Sequence, residues 1–259
     1  MSGYIFDDKP EDRELRRLQL IEAAADADTI DLLEQVGVAK GWRCLELGAG
    51  AGSIARWMGE QVGPGGLVVA LDKKTTHLRL RSSPPYRIVE GDVLTAPLDG
   101  TVDVLHARYV LIHNKQDEDI LKKIRGHVRS GGFAVLEEPD FTSALRLNPG
   151  DDAADQRVNE AICRMFVNAG LDPAYGLTLP GKLAAAGFEV QRSRALMHLC
   201  SGGAPIARVM AESAIVLRKE YTATGMATDQ DIEQYVVHAG DTRRWSVYYS
   251  TVSVIAKAV

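Results

Sequence analysis

The sequence predicts a doubly wound α/β architecture on a mostly parallel sheet, with extra helices at the amino end and in the later half. Three observations predict it. Short apolar runs alternate with helically periodic segments through the first half of the chain, the pattern of right-handed strand–helix–strand crossovers. The run Leu45-Glu46-Leu47-Gly48-Ala49-Gly50-Ala51-Gly52-Ser53 joins an apolar segment to three glycines spaced two apart, which lets the backbone turn sharply and approach a ligand with no Cβ in the way. Twenty residues after the last of those glycines, Leu67-Val68-Val69-Ala70-Leu71 ends in Asp72. That is the distance at which nucleotide-binding α/β folds place a ribose acceptor.

The elements follow in order. Residues 10–37 carry Leu15, Leu18, Ile21, Ala25, Ile30, Leu33 and Val36 at helical spacing, with Pro10 suited to a first turn. Strands are expected at 43–47, 67–71, 86–90, 102–107 and 133–137, and helices at 53–62 and 116–128. The crossover from Asp72 to Tyr86 is short and holds Ser82-Ser83-Pro84-Pro85, leaving room for one or two helical turns. Beyond it, helices are expected at 151–170, 179–186, 204–220 and 229–238. Strands are expected at 189–199 and 245–256. The domain reading is an N-terminal helical lid over 1–38, then a cofactor-binding domain over 39–259 with helical insertions near 151–170 and 204–238.

Composition limits the function classes. A chain of 259 residues with 46% hydrophobic and 25% charged residues reads as one large globular domain. A net charge of −5 gives nucleic acid no basic face to grip, so no nucleic-acid partner is expected. Cys44, Cys163 and Cys200 are odd in number and far apart, which suits reduced thiols of a cytoplasmic protein better than disulfides or a zinc site. The first residues have no basic start and no apolar core, and no apolar run approaches membrane-spanning length; neither a signal peptide nor membrane contact is expected.

Gly50-Ala51-Gly52-Ser53-Ile54-Ala55 satisfies the loose dinucleotide fingerprint, so an NAD(P)-dependent oxidoreductase stands as one reading. Three features point elsewhere: Glu46-x-Gly48-x-Gly50-x-Gly52; Gly91-Asp92-Val93 after the third expected strand; and Val102-Asp103-Val104-Leu105-His106-Ala107-Arg108 followed by Leu121-x-x-Ile124-x-x-x-Val128-x-x-Gly131-Gly132-Phe133. In this order they resemble class I S-adenosylmethionine-dependent methyltransferases, nearest the ubiquinone/menaquinone-biosynthesis-like and bacterial natural-product group. The resemblance covers about residues 40–140. It implies a Rossmann-like seven-stranded, mostly parallel sheet with an antiparallel last strand. It also implies S-adenosylmethionine as cofactor, with S-adenosylhomocysteine as product and no metal.

By that resemblance, Asp72 accepts from both ribose hydroxyls. Asp92 accepts from the adenine amino group, and the Val93 N–H meets a ring nitrogen. The turn Gly48, Ala49, Gly50, Gly52 accommodates the methionine and ribose portions. Glu46 anchors the turn or the ammonium end, Lys73 lies in the cofactor set, Arg108 orients the loop or meets the cofactor carboxylate, and Tyr4 closes over the ligand. Methyl transfer is an in-line displacement needing alignment and, for a hydroxyl, a base. His113, after the fourth expected strand, is the candidate base; helix capping is its plain alternative. Glu138 and Asp140, after the fifth, are candidates for substrate contact, with capping as theirs. Met165, Phe166, Tyr175, Met197, Met210 and Tyr221 serve equally as an apolar pocket wall or as core. His198 and His238 read as structural or exposed.

Ser83-Pro84-Pro85-Tyr86 spells the motif of amino-directed methyltransferases but precedes the third strand instead of ending the fourth, so it reads as a proline turn. The expected activity is therefore methylation of a small-molecule metabolite, oxygen before nitrogen before carbon, by a monomer or homodimer. A methyltransferase-like protein that binds the cofactor without catalysis is the remaining alternative.

Overall fold

The computed structural model describes residues 11–80, 85–147 and 153–259. Its centre is a seven-stranded sheet in the order β3-β2-β1-β4-β5-β7-β6, parallel but for one antiparallel strand. The strands are β1 (Arg43–Leu47), β2 (Leu67–Asp72), β3 (Arg87–Glu90), β4 (Val102–Arg108), β5 (Val128–Asp140), β6 (Phe188–Ser201) and β7 (Trp245–Ala258). The helices are α1 (Glu11–Val36), α2 (Ser53–Val62), α3 (Asp117–His127), α4 (Thr142–Leu147), α5 (Ala153–Asn168), α6 (Tyr175–Ala185), α7 (Pro205–Val216), α8 (Arg218–Thr222) and α9 (Asp229–Gly240).

Compact packing divides the chain into two units. One comprises residues 25–138, 178–194 and 253–259; the other comprises 1–24, 139–177 and 195–252. In the first unit β1 lies between β2 and β4, with Glu46 paired to Ala70 on one side and to His106 on the other. Both faces of a parallel sheet are covered, so its strands read as apolar runs; β1 buries its last four residues and β4 all but its second and last. Leu32, Leu33, Ile54, Met58, Val68, Val104 and Ile255 pack into one core cluster there. Met58 is fully buried, and Met58→Ala should lower unfolding free energy by about 2–5 kcal/mol in denaturant titration.

The second unit is mainly helical. Helices α5 and α9 are clasped by Arg157–Asp231 (2.5 Å) and by His238 Nδ1 against Asp155 Oδ1 (3.0 Å). Phe141 stacks on Phe166 with ring centroids 5.2 Å apart. Thr228 and Asp231 form a reciprocal capping box at the start of α9. Thr228→Ala should therefore cost about 1 kcal/mol, readable as a lowered thermal midpoint.

Several expectations change in detail. β5 runs from residue 128 to 140 where 133–137 was expected. The helix expected over 204–220 is two, α7 and α8, separated at Leu217. Helix α4 had no sequence signal. Among the described residues of the short crossover after β2 there is one 3-10 turn, Leu78–Leu80. Of the six residues that could be pocket wall or core, Met165, Phe166, Tyr175, Met210 and Tyr221 are buried, whereas Met197 is 45% exposed.

Candidate functional site

The glycine turn joins β1 to α2. Gly48, Gly50 and Gly52 adopt φ of 64°, 56° and 90°, the left-handed region that glycine enters without a Cβ penalty. A Cβ on Gly48 would stand 2.4 Å from Val110 Cγ2, and one on Gly52 would stand 2.6 Å from Tyr86 Oη. The turn is thus held between Tyr86 before β3 and the loop after β4. Gly48 and Ala49 both donate their N–H to Leu71 O, stitching the turn to the end of β2.

Asp72 follows directly. Gly50 N–H donates to its Oδ2 at 2.8 Å and Lys74 N–H to its Oδ1 at 3.0 Å, so the carboxylate is oriented by backbone on both sides of the turn. At the end of β3, Asp92 accepts from Leu94 N–H at 2.8 Å and pairs with Lys73 Nζ at 3.0 Å. Burial would raise the Asp92 carboxyl, but that N–H and the ammonium of Lys73 hold it below the usual carboxylate range. Val93 is buried beside it. Open α/β sheets bind ligands outside the carboxyl ends of their strands, where Asp72, Asp92 and the turn all lie.

Glu46 points into the sheet instead of along the turn. It is buried, and its Oε2 lies 2.8 Å from His106 Nδ1. On the other side His106 Nε2 lies 3.2 Å from Glu137 Oε1. Glu137 also accepts from Thr29 Oγ1 at 2.5 Å and from Ser253 Oγ at 3.1 Å. Arg108 donates to Thr29 Oγ1 at 2.7 Å and to Asp26 Oδ1 at 2.8 Å. The result is one buried polar network spanning α1, β1, β4, β5 and β7. Burial alone would depress the His106 imidazole, yet the two flanking carboxylates lift it to about 9. The imidazolium in turn holds Glu137 below its ordinary value against burial, while burial lifts Glu46.

The loop after β4 carries His113 at the end of a 3-10 turn, Leu111–His113, and the residue is half-buried. Glu138 is fully buried and accepts the N–H groups of Val110, Leu111 and Ile112 at 3.0, 2.7 and 3.1 Å. Burial pushes its carboxyl up to about 8 against the pull of those three donors. Asp140 accepts from both the N–H and the hydroxyl of Thr142, the capping arrangement at the head of α4. Tyr4 lies outside the described residues, as do Ser83 and Pro84 of the proline turn.

Sequence reading gave no role to Asp26, Thr29, His106, Tyr109, Glu137 or Ser253. One signal was available. Glu46 and His106 are polar residues inside apolar strand runs, and isolated polar groups in buried strands need each other. Among the described residues no three His, Cys, Asp or Glu side chains gather as a metal site, and no helix is long and apolar enough to cross a membrane.

Comparison with known proteins bears on the same region. Residues 45–136 match the sequence profile of a family described as a methyltransferase domain. An uncharacterized 37.1 kDa protein in transposon TN4556 of Streptomyces fradiae is 28% identical over 151 residues, covering 55% of this chain and 44% of that protein. Methyltransferase str2 of Strobilurus tenacellus is 28% identical over 147 residues, covering 56% of this chain and 52% of that one. The chain thus spans about half the length of these curated relatives. Among solved structures, phosphoethanolamine N-methyltransferase 2 of Haemonchus contortus, in complex with phosphomonomethylethanolamine and S-adenosylhomocysteine, superposes with a TM-score of 0.61. It is 12% identical, with 98% of this chain and 59% of that one covered.

Proposed function

We propose that this chain, which carries a class I S-adenosylmethionine-dependent methyltransferase domain over its central residues, methylates a small molecule, oxygen before nitrogen. One observation carries the reading: three left-handed glycines open α2 beside a carboxylate, Asp72, that Gly50 and Lys74 hold by their N–H groups. That donor set suits an adenosyl ligand. An oriented carboxylate is an acceptor-only group for two vicinal hydroxyls, and a second one, Asp92, one strand over suits an exocyclic amine.

Bound S-adenosylmethionine would supply a methyl group made electrophilic by its sulfonium. Asp72 would bind the ribose, Asp92 and Val93 the adenine, and the segment Gly48–Gly52 the methionine portion. Lys73 neutralises Asp92, and Glu46 and Arg108 support the site through the buried network instead of by reaching the ligand. Tyr4 is assigned to cover the cofactor. His113 would accept the proton that a substrate hydroxyl loses as its oxygen takes the methyl group, leaving S-adenosylhomocysteine. Glu138, near the end of β5, would shape the acceptor side through the loop whose N–H groups it holds, and Asp140, the last residue of that strand, would contact the substrate. The reading includes a cytoplasmic protein, monomer or homodimer. Its thiols would stay unreactive, since burial pushes Cys44 and Cys163 up to about 12.

Calorimetry tests this directly. The wild type should bind S-adenosylhomocysteine saturably and NADH not at all. Asp72→Ala should weaken S-adenosylhomocysteine by about 10- to 100-fold, the loss of hydrogen bonds to a charged acceptor. Tighter binding of NADH would overturn the reading.

A further inference from the structure

The loop after β4 is held in a way that the assigned roles do not use. Tyr109 has φ of 58° and is the single non-glycine residue with a positive φ among those described. A bulky side chain in that region is strained, and such strain persists where surrounding bonds over-determine it, often at ligand sites. Here four consecutive N–H groups are pinned to two residues of β5. Tyr109 N–H donates to Glu137 O at 2.8 Å, and those of Val110, Leu111 and Ile112 all donate to the Glu138 carboxylate. The following side chain, Val110, fills the space against Gly48 that a Cβ there would need, so the strained residue is locked beside the glycine turn. Tyr109 is half-buried.

We propose that Glu138 is a positioning residue that holds Tyr109 left-handed, so that its aromatic ring forms part of the methyl-donor site and favours the cationic donor over the neutral product. The inference rests on the methyltransferase reading above and adds the source of donor-over-product preference. A sulfonium over an aromatic face gains from the ring quadrupole, while the thioether left after transfer does not. The carboxylate of Glu138 acts only through the backbone; the ring makes the contact.

The test is the ratio of affinities for S-adenosylmethionine and S-adenosylhomocysteine, which a merely structural role would not move. Tyr109→Gly adopts the left-handed conformation without strain, so it should keep or raise the thermal midpoint while lowering the ratio about fivefold or more. Tyr109→Phe keeps the ring and should hold the ratio within about twofold of wild type. Glu138→Gln should lower the ratio too, and adding it to Tyr109→Gly should lower it no further. An unchanged ratio in Tyr109→Gly, or an additive loss in the double variant, overturns the proposal while leaving donor binding intact. Should Tyr109→Gly fail to fold, Tyr109→Asn, which also tolerates this conformation, is measured against the same criterion. A wild type that binds neither ligand overturns this inference together with the reading beneath it.

Discussion

His106→Leu should lower unfolding free energy by about 3–5 kcal/mol, because it leaves buried carboxylates without the cation between them. The geometry makes the loss large. Glu46 and Glu137 approach opposite nitrogens of one ring at 2.8 and 3.2 Å, and His106 is fully buried. Leucine matches the volume and cannot donate to either oxygen. The same pair sets a pH dependence. An imidazole raised from 6.5 to about 9 by folding contributes its full stabilisation below pH 6.5 and loses it as pH rises through 9. Linkage puts that contribution on the order of 3 kcal/mol. Denaturant titrations at pH 6 and pH 9.5 should show the wild type losing stability at the higher pH. His106→Gln should be less stable at pH 6 and should lose less between the two. Equal slopes for both proteins would show that the histidine is neutral throughout.

Gly48→Ala should weaken S-adenosylhomocysteine binding about 100-fold in calorimetry. Two costs combine. The backbone there has φ of 64°, where a Cβ costs about 1–2 kcal/mol. The new Cβ would also stand 2.4 Å from Val110 Cγ2, too close for any side chain. Val110 cannot simply retreat, since its N–H and those of the next two residues are bonded to Glu138. The turn must shift instead, and a displacement near 1 Å at a positioning element is worth about two decades. Gly63→Ala makes a control: its φ is also 64° and nothing stands within 4 Å of its Cβ. It should lose stability by strain alone and bind normally.

The local patterns that are readable in a sequence correspond to the parts of this chain that were anticipated. β1 and α2 begin and end where expected, because apolar runs and a glycine turn punctuate them without reference to anything distant. Asp72 is named by its spacing from those glycines for the same reason, and Asp92 by its place in Gly91-Asp92-Val93 after the third strand, as the family resemblance implies. The buried network was not legible, because its seven groups are contributed by residues 26 to 253 and only the sheet register brings Glu46 opposite His106. Glu138 was read as a polar group available to a ligand. In the fold its oxygens are committed to three amides of a neighbouring loop, a demand that arises only once β5 lies beside β4. The length of β5 was underread because Gly131 and Gly132 look like a stop; here Gly131 is left-handed, with φ of 74°, and the pairing with β4 skips from Val128 to Phe133, so the strand passes through an irregularity instead of ending.

The pairing of Ser253 and Thr29 with the same carboxylate has a consequence for biogenesis. Glu137 emerges from the ribosome with its partners on β4 and α1 already made, but β7, the seventh strand in chain order, comes more than a hundred residues later. Until then the middle of the nascent domain lacks one of the donors that quiet its negative charge. Closure of the sheet is therefore a late event with high contact order, slow by topology, and the half-made polypeptide is the species that most needs chaperone protection.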